Sequence, residues 1–314
     1  MNLAVGFFDG VHQGHRRILS RADAALTFRN HPATIFAPSC APALLMTPVT
    51  RLAAIRSALA ARLGERTAAS VCALDFTAEL AAQPPAVFAD WLRASYPDLE
   101  MVLCGANWTF GVGGEGDADF LRARGFQVEV VPFAEYNGQP VSSTRVRAAV
   151  AAGNMNQAAA MLGRPWVSEG ELAAGKGVGR QLGYPTLNVR PAVGLVTPPY
   201  GVYAVETAVG AGVANFGLAP TMGDRAWKSP MLEVHLFAEN RNLPSHGVFS
   251  VAMKRFLRPE RRQGREPRYR PPGWTRAAAG SGPGRRAGRT TAGGTGRCRW
   301  TYGTWEVSLQ ALQQ

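Results

Sequence analysis

Cysteine is scarce in this chain, with four residues among 314, at Cys40, Cys72, Cys104 and Cys298. They lie far apart, form no C-x-x-C pair and have no neighbouring histidines. That argues against a zinc site and against a disulfide framework, and it fits a reducing, cytoplasmic setting. No run of 18 apolar residues occurs, so no membrane-spanning helix is expected, and no secretory leader is read at the start. Acidic residues are few as well, 22 against 34 lysines and arginines, for a net charge of +12. The imbalance is uneven. From Gln263 onward nine arginines and two glutamates supply +7, leaving +5 for everything before them. A modest positive excess suits a protein that handles phosphates. The arginine-rich end could attract nucleic acid non-specifically through counterion release, but no recognition motif accompanies it, so no specific nucleic-acid partner is expected.

What is present sorts into two textures and an ending. Residues 3–150 alternate short apolar strands (Leu3–Gly6, Ala25–Phe28, Ser70–Leu74, Met101–Cys104, Val128–Val131) with helical stretches (Arg51–Leu63, Pro85–Ala94, Asp117–Arg124). That alternation predicts a parallel sheet covered by helices on both faces, with ligands beyond the carboxyl ends of the strands. A further short helix, Met155–Leu162, leads to Gly163-Arg164-Pro165, where the boundary is placed. From Trp166 the chain turns to short strands with many glycines and prolines, the pattern of a small antiparallel barrel or sandwich. Tyr200–Thr207 and Ser229–Phe237 alternate in polarity, and Phe249, Val251 and Met253 mark another strand. Residues 263–296 are mostly Gly, Arg, Pro, Ala and Thr without apolar period, a composition expected to stay disordered; Trp305–Leu312 alone has the pattern of a short helix. The division expected is thus 1–164, 165–262 and an aberrant basic tail, 263–314. Oligomeric state is not legible.

The most informative stretch is Val5-Gly6-Phe7-Phe8-Asp9-Gly10-Val11-His12-Gln13-Gly14-His15. An apolar strand breaks at glycine, and two histidines three apart open an amphipathic segment with Ile18, Leu19, Ala22 and Leu26 on its apolar side. A strand–turn–helix of this kind offers free backbone N–H groups and a helix dipole to phosphate. Gly6, Gly10 and Gly14 permit close approach, and His12 and His15 fall on one face. Arg29-Asn30-His31-Pro32, Asp75-Phe76 and Gly105-Ala106-Asn107 also follow strands directly, so polar groups converge on one sheet edge. Ser142-Ser143-Thr144 precedes a helical pattern. Capping alone would explain those hydroxyls, yet Arg147 one turn on is well placed for a phosphate.

Phe-Asp-Gly-Val-His-x-Gly-His resembles the signature of the bacterial bifunctional riboflavin kinase/FAD synthetases. Thr27-Phe28 before Asn30-His31-Pro32, Gly105 to Gly111 (GANWTFG), Ser142 to Arg147 (SSTRVR) and Gly183-Tyr184-Pro185-Thr186-Leu187-Asn188 match in the same order, from residue 3 to about 262. The resemblance implies two reactions, phosphorylation of riboflavin to FMN and adenylylation of FMN to FAD. It implies a nucleotidylyltransferase domain followed by a kinase β-barrel. In adenylyl transfer, His12 and His15 would donate to the ATP phosphates, with Asp9 and the turn glycines in the same nucleotide site. Arg147, Ser142, Ser143 and Thr144 would hold the pyrophosphate end. Asn30, His31, Pro32 and Asn107 would line the flavin side.

In the kinase half, Gly175-Lys176-Gly177-Val178-Gly179-Arg180 is glycine-rich and could form an anion nest, though a flexible hairpin fits equally well. No Gly-Lys-Ser/Thr closes it as a Walker loop. By resemblance, Thr186 and Asn188 offer oxygen ligands to Mg²⁺ on ATP. Glu233 is the expected base for the riboflavin hydroxyl, while its strand position alone would fit a solvated face. Family members continue past Phe256–Arg262 into an apolar helix, which this composition lacks. An enzyme restricted to FMN adenylylation is therefore the alternative expectation.

Overall fold

The computed structural model describes residues 1–63, 70–173, 186–218, 230–237 and 243–260. The expected kinase loop at 175–180, Gly183-Tyr184-Pro185, and the tail with its Trp305–Leu312 segment lie outside the described residues.

The chain runs β1 (Asn2–Val5), α1 (Gln13–Leu19), β2 (Ala24–Phe28), α2 (Ala33–Phe36), α3 (Pro48–Leu63), β3 (Ser70–Leu74), α4 (Ala78–Ala81), α5 (Pro85–Ser95), β4 (Met101–Gly105), α6 (Ala118–Ala123) and β5 (Val128–Val131). A short hairpin, β6 (Glu135–Tyr136) and β7 (Gln139–Pro140), precedes α7 (Ser143–Ala151) and α8 (Met155–Leu162). Then come β8 (Trp166–Ala173), β9 (Thr186–Pro191), β10 (Gly201–Thr207), β11 (Gly210–Leu218), β12 (Pro230–Leu236) and β13 (Val248–Pro259).

The first five strands form a parallel sheet in the order β3-β2-β1-β4-β5, so the chain reverses its direction of growth between β1 and β4. Alternation along β1 divides the core. Ala4 packs with Ile18, Leu19, Ile55 and Leu59 of α1 and α3. Leu3 and Val5 pack with Ala89, Leu92 and Leu121 of α5 and α6. Both faces of the sheet are thereby covered, which is why its strands read as continuous apolar runs. The other six strands close into an antiparallel barrel, β10-β11-β12-β9-β8-β13. Tyr203, Phe216, Leu232, Val234, Val251 and Met253 fill it. The same core takes in Val146, Val150, Met155, Ala158, Met161 and Leu162, so α7 and α8 pack with the barrel although they precede it in sequence.

One expected element is shorter than read. The amphipathic segment, whose expected apolar positions include Ala22 and Leu26, stops at Leu19, and Leu26 lies in β2, within the strand read as Ala25–Phe28, paired with Val5. The turn between them is fixed by Asp23, whose carboxylate accepts from the Asn2 backbone N–H at 2.6 Å. That bond ties the chain back to the start of β1, where a longer helix could not follow.

Candidate functional site: a nucleotide turn and a polar barrel face

Beyond β1 the backbone leaves extended geometry abruptly. Phe8 (φ 57°), Gly10 (φ 79°) and Val11 (φ 40°) all take positive φ. For Phe and Val that conformation is costly, and surrounding structure must impose it. At Gly10 a Cβ would stand 2.7 Å from Leu45 Cδ1, and at Gly14 it would stand 3.2 Å from the His12 ring. Glycine there lets Leu45 and the imidazole close over the backbone.

The turn is held by later parts of the chain. The Asp9 side chain is only 1 % exposed. Its oxygens accept from the Leu45 backbone N–H at 3.0 and 3.1 Å, and from Arg147 Nη2 at 2.9 Å. Burial pushes the Asp9 carboxyl up, against the pull of Arg147 and the Leu45 N–H. Read from sequence as part of the ATP site, Asp9 acts in this arrangement as the anchor of Arg147. Ser143 Oγ donates to the Asp9 carbonyl at 2.9 Å, whereas Ser142 caps α7 by accepting from the Arg145 N–H. Thr144 is exposed.

His12 is the N-cap of α1. Its Nδ1 accepts from the His15 N–H at 3.3 Å, which leaves the ring proton on Nε2. The His12 and His15 rings stack with centroids 3.6 Å apart, and His15 Nδ1 is buried without a partner among the described residues. Burial, with Arg147 close by, lowers His12 to about 3; burial and then His12 and Arg147 hold His15 well below its usual value. His31 packs edge-on against Phe7 at 4.7 Å, and its Nδ1 accepts from the Ala33 N–H at 3.1 Å. Burial, then Arg147 and Arg51, lowers it to about 4. All three imidazoles are thus neutral N–H donors near pH 7.

Asn30, placed on the flavin side from sequence, clasps Phe76: its Nδ2 donates to the Phe76 carbonyl at 2.9 Å and its Oδ1 accepts from the Phe76 N–H at 2.8 Å. Pro32 caps α2, and Asn107 lies half-buried two residues beyond β4. All stand at the carboxyl edge of the sheet.

Two arginines were missed. Arg51, fully buried, donates from Nη2 to the Phe28 and Arg29 carbonyls and lies 3.9 Å from the Phe7 ring centroid. Its Nε and Nη1 have no partner among the described residues, and burial lowers it to about 10. Its signal was available, since 51, 55 and 59 form one helical stripe that is otherwise apolar. Arg164, read as part of a linker, donates to the Gly10 carbonyl at 2.9 Å and the Val11 carbonyl at 3.3 Å. Six cationic or N–H-bearing groups, His12, His15, His31, Arg51, Arg147 and Arg164, therefore lie around this turn, an arrangement whose chemistry suits an anion.

On the barrel, β9, β11 and β12 turn alternate residues outward. Asn215 pairs with Glu233 and Glu233 with Asn188, giving one polar row across three strands; Val213, His235 and Thr186 form the next. His235 Nε2 lies 4.0 Å from Glu233 Oε1. The Thr186 hydroxyl and Asn188 carbonyl oxygen are hard donors on the same face as a carboxylate, a set that fits Mg²⁺ carried by phosphates rather than a closed protein cage. Among the described residues no cluster of three His, Cys, Asp or Glu could enclose a metal. Asn215 was not singled out from sequence; it is visible only once the register is known.

Two family models match the chain, FAD synthetase over residues 1–145 and riboflavin kinase over residues 162–264. The bifunctional riboflavin kinase/FMN adenylyltransferase of Pseudomonas fluorescens is 36 % identical over 250 residues, 74 % of this chain and 76 % of that protein. The Escherichia coli K12 protein of that name is 32 % identical over 280 residues, 83 % of this chain and 85 % of its own. The chain belongs to this bifunctional family. A Bacillus subtilis member is 28 % identical over 271 residues, 80 % of this chain and 81 % of its own. A solved structure described as a macrolide-efflux protein from Streptococcus pneumoniae superposes with TM-score 0.66 at 23 % identity, over 84 % of this chain and 88 % of that one, and supports the fold alone. The two family models match one half of the chain each.

Proposed function

We propose that residues 1–164 carry adenylyl transfer at the β1–α1 turn, and that residues 165–262 carry riboflavin phosphorylation on the outer face of β9, β11 and β12. The chain phosphorylates riboflavin to FMN with ATP and adenylylates FMN to FAD with release of pyrophosphate. The observation that carries the site assignment is the buried Asp9–Arg147 pair near the stacked His12 and His15 rings, at the point where the sheet reverses its growth.

Adenylyl transfer needs little covalent help. The FMN phosphate is already ionised and attacks the α-phosphorus of ATP, and the bond to pyrophosphate breaks. Alignment and donors for the developing charge do most of the work. The His12 Nε2–H and the neutral His15 ring donate to phosphate oxygens. Arg147, fixed by Asp9, holds the pyrophosphate end, and Asn107, His31 and Pro32 stand toward the flavin.

In the kinase reaction the riboflavin 5′-hydroxyl attacks the γ-phosphorus of ATP, and the bond from that phosphorus to the departing ADP breaks. Glu233 accepts the hydroxyl proton. Thr186 and Asn188 hold Mg²⁺, which when bound neutralises phosphate charge. No helix of the described residues is long and apolar enough to cross a membrane. We place the protein in the cytoplasm, where its flavin and ATP substrates are found. The test is direct. His12→Ala and His15→Ala together should abolish FAD formation from FMN and Mg-ATP while leaving riboflavin phosphorylation intact. Unchanged FAD synthesis would overturn the assignment.

A further inference from the structure

The segment before α3 joins the two halves. On one side, the Leu45 N–H donates to both Asp9 oxygens, and Leu45 lies against Gly10. On the other, Trp166 Nε1 of β8 donates to the Leu45 carbonyl at 3.1 Å. Leu44 forms a parallel bridge with Leu195, with its N–H on the Gly194 carbonyl at 2.7 Å and its carbonyl taking the Val196 N–H at 2.8 Å. Two residues on, Thr47 and Thr50 open α3, the helix that carries Arg51.

Both threonine hydroxyls donate to one carboxylate, that of Glu169 on β8. Thr47 Oγ1 stands 2.9 Å from Oε2, and Thr50 Oγ1 stands 2.5 and 2.6 Å from the two oxygens. Glu169 is only 5 % exposed, and these two hydroxyls are the partners it has among the described residues. A buried carboxylate is costly unless hydrogen-bonded, so this one fixes the threonines firmly and is fixed by them. Thr47 Oγ1 in turn accepts from the Thr50 N–H at 3.3 Å, and the Thr47 carbonyl accepts from the Arg51 N–H at 2.9 Å. The chain of contacts therefore runs from the barrel through Glu169 and Trp166 to residues 45–51, and from there to Asp9, Arg147 and Arg51.

We infer that Glu169, a residue of the kinase barrel, is a positioning residue for adenylyl transfer. It sets the place of the α3 N-terminus, and through Leu45 and Arg51 it sets the Asp9–Arg147 pair at the nucleotide turn. The barrel is thus part of the scaffold of the other half's active site. This inference rests on the adenylyl-transfer assignment above.

The experiment measures both reactions on one full-length preparation, riboflavin to FMN and FMN to FAD with Mg-ATP, for the parent chain, Glu169→Ala, Glu169→Gln and Thr50→Val. Displacing a catalytic constellation slightly from a distance costs on the order of 10- to 100-fold. Glu169→Ala should lower FMN adenylylation by about that factor, mainly in kcat, while riboflavin phosphorylation stays at the parent rate. Glu169→Gln, which keeps an acceptor oxygen, should rescue most of it. Thr50→Val should give a similar loss from the other side of the contact, and combining it with Glu169→Ala should add little. A merely structural role predicts the reverse order, since damage to the barrel would reach the kinase reaction first. Parallel loss of both activities, or full adenylylation in Glu169→Ala, overturns the inference. A parent chain that phosphorylates riboflavin but makes no FAD overturns the assignment itself.

Discussion

Asp9→Asn is the sharpest probe of the nucleotide turn. Asparagine keeps an oxygen for the Leu45 N–H, so the local backbone bond survives. What changes is the partner of Arg147. A carboxylate 2.9 Å from Nη2 becomes an amide, whose NH₂ cannot accept from a guanidinium. The pair is well removed from water, with side chains 1 % and 15 % exposed, so the lost attraction is poorly replaced by solvent. Removing one member of a buried pair typically costs about 3–5 kcal/mol. Arg51 already stands in the same neighbourhood, so an uncompensated Arg147 adds to a local excess of cations. Stability should fall by about 3 kcal/mol, read from urea unfolding of the α/β half by the fluorescence of its tryptophans. FMN adenylylation should fall by about 100-fold or more as Arg147 leaves its fixed place, with riboflavin phosphorylation unchanged. The double variant Asp9→Asn/Arg147→Met removes the orphaned cation; it should regain much of the stability and none of the adenylylation. An Asp9→Asn protein with the parent's stability and FAD output would refute the reasoning.

The remaining predictions concern protons. His12 and His31 ionise at about 3 and about 4 in the fold against 6.5 unfolded, so the unfolded chain binds more protons as pH falls below 6.5. Each should remove about 1.4 kcal/mol of stability per pH unit, until its folded value is reached. Asp9, raised by burial, works in the opposite direction over part of that range. Urea midpoints measured from pH 7 to 5 should therefore fall, and fall less steeply in His31→Asn; a flat profile would contradict the neutral-imidazole cluster. Glu233→Gln should lower riboflavin phosphorylation by about 100- to 10,000-fold and leave FMN adenylylation intact, since the side chain lies on the barrel's outer face. Full kinase turnover in that variant would remove Glu233 as the base.

Much of the architecture was legible because period and composition change where the structure changes. Ser70–Leu74 and Val128–Val131 appear as read, and the polar groups after β1, β2, β3 and β4 do gather at one sheet edge. The alternation of Leu232, Val234 and Leu236 with Glu233 and His235 gave the inner and outer faces of β12. Partnerships were not legible. Leu45, Arg147 and Arg164 lie 36 to 155 positions beyond Asp9, and no local pattern announces a carboxylate shared between a backbone N–H and a distant guanidinium. Asn215 escaped for a similar reason: its importance lies in standing opposite Glu233, and register is a property of pairs. Leu26 falls both among the apolar positions of the amphipathic segment and in the strand Ala25–Phe28; the strand holds, because apolar residues at helical spacing also suit a buried parallel strand over a short window.

The turn after β1 is assembled from pieces that each oppose folding. Phe8 and Val11 sit in left-handed backbone and Asp9 is a buried carboxylate, while among the described residues His15 Nδ1 is unpartnered and Arg51 leaves two nitrogens unmet. Such features cost on the order of 1–3 kcal/mol apiece. Within residues 6–15 only the His12 cap, the Val11 N–H on the Phe8 carbonyl and the ring contacts of His15 stand against that sum. The compensation comes from α7 through Ser143 and Arg147, from Arg164 at the end of α8, and from Leu45, which is itself pinned by Trp166 of the barrel. A turn held open against its own preferences and lined by neutral imidazoles and cations is the preorganisation that the proposed adenylyl transfer calls for, since a polyanion would relieve it. That is also why the later elements matter as much as the histidines. Without α7, α8 and the first barrel strand, the motif in residues 7–15 would be the same letters without the geometry that lets them act on phosphate.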